Sequence, residues 1–428
     1  MGFEPTTSTL ARLRSTTELH PRVAFFSVAP FPVRRESGAI VLIFLLNASL
    51  FLKKICFECK KVTHTGAYGA ENLGFRSRKK ERAGSPGGCD VNVAGRKLCF
   101  PPGDACIIIG NMSEHRLAIA VDFGGTSIKI GVTRGAELVD KAAPLPTPEF
   151  DSPESIMAAM CATMKELQRK HPQVAAVGLG MPGWVDFYKG VLYQLTNVPV
   201  WNHQVPVREV MERELGLPVV LDNDANCMGY AEWKLGAGRG LESLLCLTLG
   251  TGIGGCIVVH DRMLRGRNVS CAELGQTSVD FKGRVGPFGN RGAVEEYIGN
   301  NEFAADAVAR YAAAGVNKSL ADCTPYLLEQ AARAGDAIAL EMYRSFAEKL
   351  GCLIMNMMYA LVPEAFIIGG GVAKAGDLLF DPLRACLKEQ LFPVHYDNLR
   401  ILPAQFGADA GIIGAGLMAA DYAAGVLK

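Results

Sequence analysis

The chain has 428 residues, 49% hydrophobic and 20% charged, enough apolar material for one large or two ordinary domains, which excludes collagen-like, coiled-coil and wholly disordered architectures. Its net charge of +1 conceals a split: residues 1–111 carry 16 Lys and Arg against 8 Asp and Glu, a balance of +8, whereas the rest carries 28 against 35, a balance of −7. The larger, acidic part offers no general attraction for nucleic acid, so a whole-chain DNA-binding role is disfavoured.

Residues 1–111 scatter Pro, Gly, Ser and Thr without period and include a solvated charge run, RSRKKER, at 76–82, so a non-globular extension is expected there. The apolar stretch 39–52 is shorter than the ~20 residues of a spanning helix, contains Asn47 and Ser49, and lies too far from Met1 for an ordinary signal peptide. The opening resembles the peptide obtained by conceptual translation of a tRNA gene, and synthesis is expected to start at Met112. Thirteen cysteines are dilute and odd in number, and those in runs such as LLCLTL (Cys246) and GGCIVV (Cys256) read as buried free thiols of a reducing compartment. Cys56 and Cys59 have CxxC spacing but no second pair or strand–helix context, and no metal or redox site is expected there.

From Leu117 the pattern becomes regular. LAIAVD, a glycine turn and the alternating SIKIGV predict a β-hairpin; a helix over 153–170, the buried strand VAAVGLG, the MPGWVD turn, a helix over 207–215 and the strand PVVLDND follow. Strands alternating with helices make the architecture α/β. At Leu244, LLCLTLGTGIGGCIVV repeats the strand–glycine turn–strand scheme of the first hairpin, which suggests two related halves.

Three segments carry chemistry. DFGGT (residues 122–126) puts the Asp122 carboxylate at a strand end, followed by glycines whose N–H groups can approach an anion and by the Thr126 hydroxyl; a carboxylate beside a phosphate cradle holds Mg²⁺ directly or through water. GTGIGG (residues 250–255) is a second such turn without P-loop or dinucleotide-fingerprint spacing. Either turn alone is an ordinary hairpin tip; the tandem pair is far more specific. Between them, Asp222, Asn223, Asp224 and Asn226 follow a buried strand. One of these four is expected to cap the next helix, yet together they also offer a carboxylate to take a hydroxyl proton and amides to orient the hydroxyl's owner.

With DFGGT, GLGMPGWVD (178–186), NVPVW (197–201), NDAN (223–226), GTGIGG, AELGQ (272–276), GNRGAVEEY (289–297), IIGGGV (367–372) and DAGIIGAGL (409–417) in this order, the chain from Arg116 onward resembles the ROK (repressor, open reading frame, kinase) sugar-kinase family. The resemblance implies a two-domain actin-like ATPase (ribonuclease H-like) fold, α/β, with a cleft between the domains: residues 112–228, completed by a C-terminal helix at about 408–428, and residues 229–407. It implies Asp224 as general base, with Gly183, Asn197, Asn223, Glu273, Gln276 and Glu295 holding the sugar. Phosphate and nucleotide would lie along Asp122, Gly124, Gly125, Thr126, Gly250, Thr251, Gly252, Gly254, Gly369, Gly370 and Gly371. Two departures matter. Family members usually have a His at Gln276 and cysteines at the positions of Gly286, Phe288 and Ala293, which hold a structural zinc; no thiolate or imidazole stands there, so no structural zinc is expected.

The expectation is an ATP- and Mg²⁺-dependent hexose kinase acting at the 6-hydroxyl, glucose first and N-acetylmannosamine or another N-acetylhexosamine, or fructose, next. Such an enzyme would be a cytoplasmic homodimer with small-molecule sugar and ATP as partners, and with neither nucleic acid nor membrane. The alternative from another class is a sugar-responsive repressor, which the +8 of residues 1–111 superficially favours, although two consecutive amphipathic helices joined by a short turn are missing there. The remaining signals have simpler readings. Met355 and Met358, at helical spacing, are core filling; His203 is a solvent-facing loop residue; Trp201 and Trp184 are packing anchors, with Trp184 also near enough to the Pro182–Gly183 turn to stack on a sugar.

Overall fold

The computed structural model describes residues 89–93, 96–100, 116–195, 198–269 and 271–427. The apolar stretch 39–52, Cys56, Cys59, the charge run, Met112 and Asn197 lie outside the described residues. Two strands, β1 (Cys89–Val93) and β2 (Arg96–Phe100), pair antiparallel. This local hairpin departs from the reading of residues 1–111 as unpatterned; the alternation of Val91 and Val93 with Asp90 and Asn92 is its signal.

Along the rest of the chain run β3 (Leu117–Phe123), β4 (Ser127–Arg134), β5 (Glu137–Lys141), β6 (Leu145–Pro146), helix α1 (Pro153–Lys170), β7 (Val177–Met181), β8 (Val185–Asp186), β9 (Val191–Leu192), α2 (Val207–Leu215), β10 (Val219–Asn223), α3 (Asp224–Lys234), β11 (Leu244–Leu249), β12 (Ile253–Val259) and β13 (Arg262–Met263). Then come α4 (Glu295–Ile298), α5 (Asn300–Ala313), α6 (Pro325–Arg333), α7 (Ala337–Leu361), β14 (Ala365–Gly370), α8 (Asp377–Gln390), α9 (Pro393–Tyr396), β15 (Arg400–Pro403) and α10 (Ala410–Ala423). Local chemistry sets the helix starts. Ser152 and Ser155 form a reciprocal cap with Pro153 in the first turn of α1, and Asp336 accepts from the backbone N–H groups of Ile338 and Ala339 at α7.

Among the described residues β8 and β9 pair by themselves, antiparallel, and the two larger sheets have a matching plan. The first has the order β10-β7-β3-β4-β5 with β6 beside β4; β3 and β4 are antiparallel, while β3, β7 and β10 are parallel. The second runs β13-β12-β11-β14-β15, again an antiparallel pair (β11, β12) continued by parallel strands (β14, β15). The expected internal echo is therefore real at the level of sheet topology.

Period-two alternation sorts the apolar residues into three cores. On β3, Leu117, Ile119, Val121 and Phe123 face the core under α1 and α2, whereas Ala118 and Ala120 face a central core. On β11, Leu245, Leu247 and Leu249 join the core under α7 and α8, whereas Leu244 and Cys246 face the centre. The central core holds α3 and α10 between the two sheets. Small residues make that approach possible: a Cβ on Gly178 would lie 1.9 Å from the Ala415 carbonyl oxygen, and one on Gly414 would lie 1.7 Å from that of Cys227. A division between residues 228 and 229 would cut α3, which packs against β7 and β10 on one side and β11 and β12 on the other. Met358 is buried in the second core, with Met355 packed against it. Cys161, Cys227, Cys246, Cys256, Cys271, Cys323, Cys352 and Cys386 are free thiols, and all but Cys271 and Cys352 are buried.

Candidate active site

A cleft of about 720 Å³ lies where the ends of β3, β7 and β10 face the ends of β11 and β14. At its floor β10 passes directly into α3. Asn223 caps that helix through Oδ1, which accepts from the Ala225 N–H at 2.9 Å, while its Nδ2 donates to the Gly183 carbonyl at 3.4 Å. The capping role among the four polar residues therefore belongs to Asn223. Asp222 is buried and turned away from the cleft; its Oδ1 accepts from the Asn223 N–H and from Asn226 Nδ2, both at 2.8 Å, and its Oδ2 from Arg265 Nε at 2.7 Å.

Asp224 is left as the carboxylate of this turn that faces the cleft. Burial, and to a lesser extent the charge of Asp122, push its pKa up to about 6. Across the cleft, Glu273 is raised to about 7 by burial first and then by Asp224 and Glu295. Glu295 Oε2 accepts from the Ile253 N–H at 2.7 Å, its Oε1 from Gln276 Nε2 at 3.0 Å, and Asn290 Nδ2 donates to both the carbonyl and Oε1 of Gln276. This chain of amides and carboxylates ties the 278–293 segment to the cleft wall. Bridges Ser278–Ala293 and Val285–Arg291 close that segment into a small hairpin whose tip contains Phe288. Gly286, Phe288 and Ala293 thus belong to a hydrogen-bonded turn, and among the described residues no group of three or more His, Cys, Asp and Glu is arranged to hold a metal ion.

The two glycine turns face each other across the cleft. Their N–H groups are not all available, contrary to the expectation from sequence. Gly124 N–H donates to the Ser127 carbonyl, Gly250 N–H to that of Gly252, and Gly254 N–H to Thr248 Oγ1. Among the described residues, the N–H groups of Gly125, Thr126, Thr251 and Gly252 have no partner, two per turn. A Cβ on Gly370, whose φ is +91°, would sit 2.2 Å from the Leu249 carbonyl oxygen, so only glycine lets this strand end pass so close. The structure gathers Gly183, Asn223, Asp224, Glu273, Gln276, Glu295, Gly124, Gly125, Gly250, Thr251, Gly252, Gly254, Gly370 and Gly371 along one cleft. Asp122, Thr126 and Gly369 adjoin lining residues in the chain without lining the cleft themselves; Thr126 is exposed, and Asp122 is ion-paired to Lys129 at 2.9 Å.

Of the two tryptophans expected to be packing anchors, one is borne out and one corrected. Trp201 is fully buried, but Trp184 is 39% exposed and is not a packing anchor; it lines the cleft against Phe288. Sequence reasoning passed over Phe288 as a cleft residue, together with Asn290 and the buried cation Arg265. All three lie in irregular segments without the periodicity that exposes buried positions; only their closeness to AELGQ and the first glycine of GNRGAVEEY could have drawn notice.

The ROK family model matches residues 118–422. The chain is 34% identical over 320 residues to a glucokinase of Streptomyces coelicolor, covering 71% of this chain and 98% of the relative, and 32% identical over 308 residues to a glucokinase of Thermotoga maritima, covering 69% and 95%. Among solved structures it is similar to a ROK family glucokinase of Streptomyces griseus in complex with glucose and AMPPNP, at 33% identity and a TM-score of 0.61, covering 71% of this chain and 99% of that one. With the paired hairpin-and-parallel sheets and the cleft between them, these likenesses establish an actin-like ATPase fold, and the chain belongs to the ROK family.

Proposed function

We propose that the protein is an ATP-dependent sugar kinase that phosphorylates the 6-hydroxyl of a hexose, with glucose as the leading substrate and N-acetylmannosamine or a related N-acetylhexosamine next. The observation that carries this reading is a part-buried carboxylate, Asp224, at the floor of a cleft bordered by two turns that each carry two backbone N–H groups without a partner among the described residues. A pKa near 6 keeps Asp224 mostly ionised at neutral pH while leaving it basic enough to accept a proton.

In this mechanism the sugar hydroxyl donates its proton to Asp224 as its oxygen attacks the γ-phosphorus of ATP, and the P–O bond to ADP breaks. Gly125, Thr126, Thr251 and Gly252 offer N–H donors to the phosphoryl oxygens, where charge spreads in the transition state. Asn223 Nδ2, Glu273, Gln276 and Glu295 orient the sugar; each Glu295 oxygen already accepts one bond and has capacity for another. Gly370 and Gly371 border the nucleotide. Asp122, with one oxygen engaged by Lys129 and one remaining, is an oxygen donor of the kind that Mg²⁺ takes, and the ion entering with ATP would supply positive charge against the phosphates. Closure of the cleft would exclude water from the transferring group.

The test is a panel of glucose, mannose, fructose, N-acetylmannosamine and N-acetylglucosamine with ATP and Mg²⁺, each product quantified and its phosphate position determined. Glucose 6-phosphate as the fastest-formed product is expected. No phosphorylation of any sugar would remove the kinase reading, and a faster N-acetylhexosamine would reassign the substrate.

A further inference from the structure

Trp184 and Phe288 come from opposite sides of the cleft. Trp184 follows Pro182 and Gly183 beyond the end of β7, and Phe288 stands at the tip of the hairpin after β13. Their ring centroids are 6.1 Å apart with a 44° tilt, and the side chains are 39% and 51% exposed. Large aromatic surface is ordinarily withdrawn from water, so two such rings left open inside a polar cleft call for an occupant.

Each ring is also tied to the polar floor through one neighbour. The Gly183 carbonyl, adjacent to Trp184, accepts from Asn223, which precedes Asp224; Asn290, two residues after Phe288, donates to Gln276. The rings therefore flank the same space as the groups assigned to the sugar.

We infer that Trp184 and Phe288, side by side and in contact, form an aromatic clamp that packs on one C–H face of the hexose ring, the face that bears the C2 and C4 hydrogens of glucose, and determines which sugars are accepted. This rests on the kinase reading above and extends it to the choice of epimer. A glucopyranose carries its ring substituents equatorially, so its faces present axial C–H bonds that pack on an aromatic ring. An axial hydroxyl, at C2 in mannose or C4 in galactose, places an oxygen that loses water without gaining a partner against such a surface. The clamp thus favours glucose over its C2 and C4 epimers and, among N-acetylhexosamines, N-acetylglucosamine over N-acetylmannosamine with its axial C2 substituent, whereas the polar groups opposite fix register.

Trp184 is the one tryptophan of three with substantial exposure, since Trp201 is fully buried and Trp233 is 7% exposed. Sugar titrated into the full-length protein without nucleotide should alter tryptophan emission, and Trp184→Phe should abolish that change. Phe288→Ala should raise KM for glucose roughly three- to ten-fold, the scale of one aromatic contact, with kcat changing less. The same variant should narrow the kcat/KM ratio of glucose to mannose and to galactose. Phe288→Leu, which keeps apolar bulk at an exposed site, should fall between. Unchanged epimer ratios in Phe288→Ala, or an emission change that survives Trp184→Phe, would overturn the clamp. Emission-detected, glucose-selective binding without phosphate transfer would instead support the clamp and remove the kinase reading, so the two failures are separable.

Discussion

Arg265 Nε lies 2.7 Å from Asp222 Oδ2, with both side chains more than nine-tenths buried. Asp222 is the penultimate residue of β10 in the first sheet and Arg265 follows β13 of the second, so the ion pair joins the two halves directly behind the cleft floor. The guanidinium also stacks over Phe187 at 3.9 Å, while its Nη2 has no partner among the described residues. Through Oδ1, Asp222 fixes the Asn223 N–H and Asn226, and hence the turn that presents Asp224.

Breaking such a pair leaves an uncompensated charge in a buried site, which costs ~3–5 kcal/mol. Arg265→Ala should therefore lower Tm markedly, and Arg265→Lys, which keeps charge but loses the planar stack, should lower it less. Asp222→Asn should also lower Tm, with a far smaller kcat loss than any change at Asp224. Thermal melts combined with steady-state kinetics on the three variants check this; a kcat loss for Asp222→Asn equal to that of Asp224→Asn would mean that the base is misplaced.

Asp224→Asn separates chemistry from stability. An amide cannot take the hydroxyl proton, so kcat should fall by roughly 10²–10⁴ while sugar binding changes much less. Stability should move the other way. A carboxyl whose pKa rises from 3.8 unfolded to about 6 folded binds its proton more tightly in the native state, so its ionised form opposes folding, by ~3 kcal/mol at most once the pH exceeds both values. The cost appears as pH rises from about 4 through 6 and is absent below. The variant should thus melt higher than the parent at pH 7–8 and no higher at pH 4; a lower Tm at neutral pH would contradict the burial assigned to this group.

The sequence displayed some of this and hid the rest for physical reasons. Both glycine-tipped hairpins were legible because strand alternation and turn glycines are local signals, and the α/β layering followed from them. The distribution of N–H groups within the turns was not, because whether Gly124 or Gly125 is left unbonded depends on how each turn closes. Asp222 and Asp224 look alike in the string LDNDAN; only the strand-to-helix transition, which turns one inward and the other to the cleft, distinguishes them. Arg265 was invisible because its partner is 43 residues away in a different sheet.

The pH dependence of kcat/KM should report the base in the free enzyme. Its acid limb is expected near pH 6, where Asp224 becomes protonated and inactive as a base. Glu273, at about 7 and facing Asp224, makes the titration a joint one, so the limb belongs to the pair. Because the Asp122 charge is the smaller cause of the elevation, Asp122→Asn should move the limb to lower pH without restoring an ordinary aspartate value. A limb that stays fixed in this variant would show that burial alone sets it.

Gln276 is held at both ends, donating to Glu295 and accepting from Asn290, in a segment whose hairpin is closed by backbone hydrogen bonds. Its amide retains one N–H and one acceptor site for a sugar hydroxyl. Gln276→Ala removes that contact and also releases Glu295 Oε1, so KM for the true substrate should rise more than kcat falls. Asn290→Ala, which leaves Gln276 in place but unfastened, should raise KM by a smaller factor. Since hydrogen bonds close this segment, treatment with a zinc chelator followed by resupply of Mg²⁺ should leave both Tm and activity at the untreated level. One equivalent of zinc per chain by elemental analysis, with loss of Tm on its removal, would show that a metal fastens the loop. A Gln276→Ala variant with parental KM for every sugar would place the substrate elsewhere in the cleft.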